Sequence, residues 1–179
     1  MPLNFVTVKN FLFAWAVSQV PVGMPVIWWQ PNAPRPVVPY ITLFLQSVTA
    51  TNQDWTSPIS DINGVINMKG DRNFTLQVQG YGEDPLTLLE NIRTSLQKQT
   101  VLDTLRINGI AFYQSLTIND ITDLVDSRFE RRAQLDIMFG IAQIYTDNPG
   151  FFDEIEVQQV YENPESIIIY DETINITIP

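Results

Sequence analysis

Residues 130–146 alternate apolar and polar side chains over the longest run in the chain, and this run constrains the fold more than any other feature. Ala133, Leu135, Ile137, Phe139, Ile141 and Tyr145 fall on one side, with Arg132, Gln134, Asp136, Met138 and Gly140 on the other. A helix would scatter both sets, because its faces repeat every ~3.6 residues and not every second one. A strand this long, with one apolar and one mixed face, is expected to be central in its sheet or to span a subunit boundary. Asn73 to Tyr81 repeats the pattern, with Phe74, Leu76 and Val78 against Thr75, Gln77 and Gln79, and predicts a second strand with one buried face.

Other segments supply helices and connectors. Val8, Leu12, Trp15 and Gln19, with Phe5 and Phe11 beside them, form a helical stripe and predict an amphipathic helix over 5–19. The connector over 20–39 carries half of the chain's 12 prolines. Proline fixes φ and removes a donor, so this is an extended connector, with a short strand at 26–30. Trp28 and Trp29 cannot both face the core from one strand; one must meet a loop of its own chain or another subunit. Residues 40–51 are apolar on both sides and read as a strand within a layered domain, followed by a loop over 52–60. Asn63-Gly64 and Gly70-Asp71 are turn signals, predicting short strands or a hairpin loop in 61–72.

Asp84 followed by Pro85 is the best-marked helix start, because the acid caps free amides and proline lacks one at the position where none is needed. Leu86, Leu89, Ile92 and Leu96 then give the apolar face of a helix over 85–98. A short turn or helix at 100–105 and a strand at 110–118 follow. Asp120, Asp123 and Asp126 would gather on one face of a helical turn, but calcium-loop spacing is missing, so capping and solvation are expected of them. After the turn at Asn148-Pro149-Gly150, β-like pieces are expected at 154–161 and 167–170. Residues 171–179 read as a strand that finds its partner in a neighbouring chain.

The chain has no cysteine and no histidine, which excludes thiol nucleophiles, disulfides, Cys/His zinc sites and histidine-based triads. Gly80-Tyr-Gly82-Glu83-Asp84-Pro85 lies between a strand and a helix, as a dinucleotide fingerprint would. However, Pro85 stands where a third small residue is needed, and Glu83 and Asp84 would repel a diphosphate. The carboxylate pairs Glu83/Asp84 and Glu154/Glu156 read as solvated, and no serine sits in a Gly-x-Ser-x-Gly elbow. No enzymatic activity, cofactor or metal is expected. The apolar run at 11–17 is far short of the ~20 residues that span a bilayer, so no membrane association is expected and synthesis is assigned to the cytoplasm.

The formal charge of −10 is unevenly placed. Residues 1–53 carry Lys9 and Arg35 and no acid; residues 54–132 carry 11 acids and eight bases; residues 133–179 carry nine acids and no base. This distribution argues against a nucleic-acid-binding surface. The densest positive feature, Arg128-Phe-Glu-Arg-Arg132, puts Arg128, Glu130 and Arg132 on one strand face and Arg131 on the other. An inter-subunit ion pair with the acidic C-terminal block is favoured there over nucleic-acid binding. Candidate subunit-interface residues are therefore Arg128, Glu130, Arg131, Arg132, Trp28, Trp29, Glu154 and Glu156.

The order of elements resembles the tail or neck terminator (tail-completion) proteins of tailed bacteriophages: an N-terminal helix, a Pro-rich connector with a Trp/Pro run, then a strand that turns through glycines into a Pro-started helix. Gln77-Val-Gln-Gly-Tyr-Gly-Glu-Asp-Pro85 and Phe129-Glu-Arg-Arg-Ala-Gln-Leu-Asp-Ile-Met-Phe139 carry the likeness, which covers about residues 1–160. The resemblance implies a single α+β domain over 1–160, with a mixed or antiparallel sheet, two or three flanking helices, and loops and arms for ring assembly; 161–179 is an acidic C-terminal extension. It also implies a virion protein forming a ring, usually a hexamer, at the head-proximal end of the tail. Such a ring meets the tail-tube protein, the neck or head-completion protein and possibly the sheath, and passes DNA without specific binding. A head-closure, tail-tube or baseplate subunit is the nearest alternative, and a small-ligand-binding domain a more distant one.

Overall fold

In the computed structural model, residues 4–29, 32, 34–58, 60–61, 63–125, 127–150, 154–162 and 168–177 are described, the last two segments by their backbone. Three helices and a mixed sheet make an α+β fold, as the sequence predicts. Contacts divide the chain into two compact units. One comprises residues 1–55 and 69–145, the other 56–68 and 146–179.

The first unit is built on a sheet ordered β1-β2-β4-β9-β5. Its strands are β1 (Val26–Trp28), β2 (Tyr40–Ala50), β4 (Ile66–Tyr81), β5 (Ile110–Ser115) and β9 (Arg132–Asp147). Two short strands lie off this path: β3 (Trp55–Thr56) pairs with β4, and β6 (Asn119–Asp120) with β9. β1 runs parallel to β2, whereas β2–β4 and β5–β9 are antiparallel. The alternation in β9 therefore does what its period predicts: it lies inside the sheet, with β4 on one side and β5 on the other.

One sheet face is apolar and buried. Phe74, Leu76 and Val78 of β4 and Ala133, Leu135, Ile137 and Phe139 of β9 are almost wholly excluded from water. Helices α1 (Phe5–Gln19), α2 (Pro85–Ser95) and α3 (Gln99–Ile107) share this core, contributing among others Leu12, Trp15, Leu89, Ile92 and Leu105. Phe139 sits at the centre: it stacks on Phe74 at 5.5 Å and meets Trp15 and Phe112 edge-on at 6.3 and 6.1 Å. Such pairs add to the transfer free energy of the rings.

The helices depart from expectation in detail. Asn4 caps α1 by accepting from the Val6 amide, and the predicted span is reproduced. The helix is not simply amphipathic, however, since Val6 and Val17 face solvent. Asp84 caps α2 by accepting from the Thr87 amide, and Pro85 occupies the first turn. Leu86 is exposed, not buried, because Leu88, Leu89, Ile92 and Leu96 centre the buried arc on the far side of it. α2 ends at Ser95, short of 98, and α3 is a true helix of 9 residues.

Two glycines explain further departures. Gly70-Asp71 was expected to turn; instead β4 runs straight through it for 16 residues, while the turn forms at Gly64. A Cβ at Gly70 would collide with the Arg72 guanidinium and the Asp54 carboxylate, so the glycine makes room for an ion pair beside the strand. The guanidinium makes a two-pronged contact with Asp54 at 2.7 and 2.6 Å, and the Tyr145 hydroxyl donates to the same carboxylate at 2.7 Å. This joins the loop beside β3 to β4 and β9. In the same way, a bulge at Tyr113 of β5 lays its ring over Gly140, where a Cβ would not fit.

The described residues of 119–130 form no helical turn. β6 joins β9, and β7 (Asp123–Val125) pairs antiparallel with β8 (Arg128–Glu130) as a small hairpin. Asp120 and Asp123 accept from the Thr122 and Leu124 amides, so they support turns in place of a helix. Asp126 lies outside the described residues.

In the second unit, β10 (Glu154–Glu162) pairs antiparallel with β11 (Ile168–Thr177), in a two-stranded sheet of their own. The described residues of the pieces expected at 167–170 and 171–179 thus belong to one strand, which pairs with β10 of its own chain.

Phe139→Ala is expected to destabilise the fold by about 3–5 kcal/mol in urea unfolding, since it empties the junction of three aromatic contacts. Asp54 titrates near about 2, below its ordinary 3.8, chiefly because Arg72 and then Tyr145 hydrogen-bond the charged form. A lowered native pKa contributes stability that is complete above the ordinary value and lost as pH falls through the native one. Asp54→Asn should therefore flatten the fall in unfolding midpoint between about pH 4 and pH 2, relative to the parent.

Candidate assembly surface

The basic run expected to form one continuous strand is broken at Arg131. Arg128 and Glu130 belong to β8, Arg132 opens β9, and Arg131 lies between them. Three of the four charged residues are committed within the chain. Arg35 Nη1 donates to both carboxylate oxygens of Glu130 at 3.1 and 3.2 Å. Arg131 Nη1 donates to the Glu83 carbonyl at 3.1 Å, while its own carbonyl accepts from the Gly82 amide at 3.2 Å. Arg132 Nε donates to the Ile121 carbonyl at 2.9 Å, and its guanidinium lies 3.8 Å from Asp123. Arg128 makes no ion pair among the described residues.

These contacts bring together three segments distant in sequence: the end of the Pro-rich connector, the Tyr81–Asp84 turn and the β7–β8 hairpin. Gly82, at φ 132°, lets the turn pass against Pro39, where a side chain would clash. Beside it the Tyr40 and Tyr81 rings stack at 4.4 Å. Burial, more than the charge of Tyr81 or Glu130, raises the Tyr40 pKa. Two adjoining grooves share Val38, Gly82 and Glu83. One continues over Pro21, Met24 and Leu88, the other over Val125, Arg128 and Phe129.

Between the charges the surface is apolar. Phe129 is 76% exposed, and Leu124, Val125, Val37 and Val38 are exposed near it. Leu124 and Phe129 are direct cross-strand partners and so share a face of the hairpin. An aromatic ring this open, beside an arginine with no ion pair among the described residues and above a groove, has the composition of a protein–protein contact.

The predicted interface tryptophans belong to β1 and the residue after it. The two tryptophans do face apart: Trp28 packs half-buried against the core, with the Lys9 ammonium 5.5 Å from its ring centre, while Trp29 is 53% exposed and meets Phe44 edge-on at 5.3 Å. Glu154 and Glu156 are on β10, in the second unit. The polar sheet face is separate again. Gln77, Gln79 and Gln134 hydrogen-bond in a row, Gln79 to its neighbours at 3.0 and 3.5 Å, and Tyr81 donates to Gln79 at 2.8 Å. Sequence reasoning missed both Phe129 and the Arg35–Glu130 pair. The available signal for Phe129 was a lone aromatic between charges at alternating positions; nothing local marks a pair 95 residues apart.

Residues 7–165 match the model of a family described as phage neck terminator protein. The chain belongs to this family. No curated protein matches the sequence. A neck terminator is a structural component of the phage particle, which agrees with a surface rich in contact features. No helix among the described residues is long and apolar enough to cross a membrane.

A single Arg35 nitrogen serves both Glu130 oxygens and the arginine is open to water, so screening leaves the contact little net energy. Glu130→Gln is expected to change the free energy of unfolding by less than about 1 kcal/mol in chemical denaturation.

Proposed function

We propose that the protein forms a ring, a hexamer by family likeness, at the head-proximal end of the tail; there it ends tail-tube growth and joins the tail to the neck or head connector. The family match over residues 7–165 is the observation that carries this reading. Its partners would be further copies of itself, the tail-tube protein and the neck or head-completion protein, with the tail sheath a further candidate. Residues 161–179 would act as an acidic extension of the domain.

The charge distribution supports the reading. A ring needs heterologous contacts, in which one patch meets a different patch on the next copy. Bases confined to residues 1–132 and a base-free segment at 133–179 suit such a head-to-tail pairing. A channel for DNA must also avoid gripping phosphates, because each basic contact releases counterions and holds the polymer. The self-satisfied glutamine row and the net acidity are consistent with passage of DNA without binding.

Solution mass and negative-stain images of the purified protein, alone and with preformed tail tubes, test this. Single rings of uniform size and arrested tube elongation are expected. Long cylinders would identify a tube subunit instead, and a monomer that leaves tubes growing would overturn the reading.

A further inference from the structure

The apolar core of the first unit stops before its two longest strands do. Buried positions alternate along β4 over 74–81 and along β9 over 133–140. Beyond them, no apolar side chain of β4 over 66–73 or of β9 over 142–147 is buried. Strands paired without a buried apolar face are marginal in water, so these outer lengths need another tie.

That tie is polar. Arg72 of β4 and Tyr145 of β9 meet on one carboxylate, that of Asp54, through two guanidinium contacts at 2.7 and 2.6 Å and a hydroxyl at 2.7 Å. The Asp54 and Arg72 side chains are only 14% and 16% exposed, so the pair escapes much of the screening that weakens open ion pairs. On either side of Asp54, the Thr51 and Ser57 amides donate to the Asp71 and Asn67 carbonyls at 3.1 and 2.8 Å and tie the loop to β4. Gly70 leaves the space that the cluster fills.

The cluster also has a telling place along the chain. The chain passes between the two units after Trp55, before Lys69 and after Tyr145. Asp54, Arg72 and Tyr145 stand beside these passages, and all of them belong to the first unit.

We propose that the Asp54–Arg72–Tyr145 cluster is a stop for local opening: the outer ends of β4 and β9, at 66–68 and 146–147, open without the first unit, and the opening ends at this cluster. Proteins open in contiguous cooperative units, and a charged contact placed where the apolar core has run out sets the edge of one. The outer ends can then rearrange on meeting another molecule while the β4–β9 core stays closed. This goes beyond the ring reading and does not depend on it.

Amide hydrogen exchange of the full-length chain, read residue by residue by NMR, tests it. In the parent, hydrogen-bonded amides at 66–68 and 146–147 are expected to exchange faster than those at 69–73 and 142–145. Tyr145→Phe removes one hydroxyl and keeps the ring; Asp54→Asn removes the shared charge. Each should move the boundary inward, speeding exchange at 69–73 and 142–145 by at least about tenfold and leaving 74–81 and 133–140 as in the parent. The double variant should add little to Asp54→Asn alone, because both changes remove the same contact. Unchanged exchange at 69–73 and 142–145 would overturn the stop. So would equal acceleration at 74–81 and 133–140, which would make the cluster a contributor to global stability only. Outer ends as slow as the core in the parent, or effects that simply sum in the double variant, would overturn it too.

Discussion

Burial of one face of the β4–β9 pair is the interaction on which the rest of the first unit depends. Phe74 stacked on Phe139 fixes where the two long strands meet, and Trp15 and Phe112 close on the same ring from α1 and β5. The three helices contribute to this one core and leave the polar face of the sheet with its own hydrogen-bonded glutamines. Close packing of this kind fixes the strand register, since a slip of one residue would turn every buried side chain outward. Gly70 and Gly140 show the same demand locally: each omits a side chain so that an ion pair or an aromatic ring can lie against the strand.

That rigid frame gives the surface segments their meaning. The connector, the Tyr81–Asp84 turn and the β7–β8 hairpin have little core of their own, and they are held by hydrogen bonds to one another. Much of the positive charge in Arg128–Arg132 goes into this framework: Arg131 anchors the turn, Arg132 the start of β9, and Glu130 receives Arg35. Among the described residues, what stays free at this surface is apolar, with one arginine beside it. In a neck component this division is physically sensible, because exposed ion pairs add little to affinity while a desolvated aromatic ring adds much.

The main elements were legible in the sequence because their signals are local. The period of two in 73–81 and 133–145, the Asp84-Pro85 start and the Asn63-Gly64 turn each specify a conformation through neighbours a few residues away. The failures share the opposite property. Gly70 reads as a turn until Asp54 and Arg72 are seen to need its space; the spacing of Asp120 and Asp123 reads as a helix until β9 offers β6 a strand partner. The alternation after Asp171 does not show that β11 pairs with β10 of the same chain, because such pairing is invisible to periodicity. The surface was half legible: the basic cluster stood out, but its internal partners did not.

By itself the sequence determined the central strands, the capped helix, the placement of charge and the absence of thiol and imidazole chemistry. Each follows from residue type and short-range spacing. Tertiary structure alone decided which charges are consumed internally and that Phe129 is left in the open. Those outcomes depend on contacts between segments tens of residues apart and on strand register, and neither is written in local order.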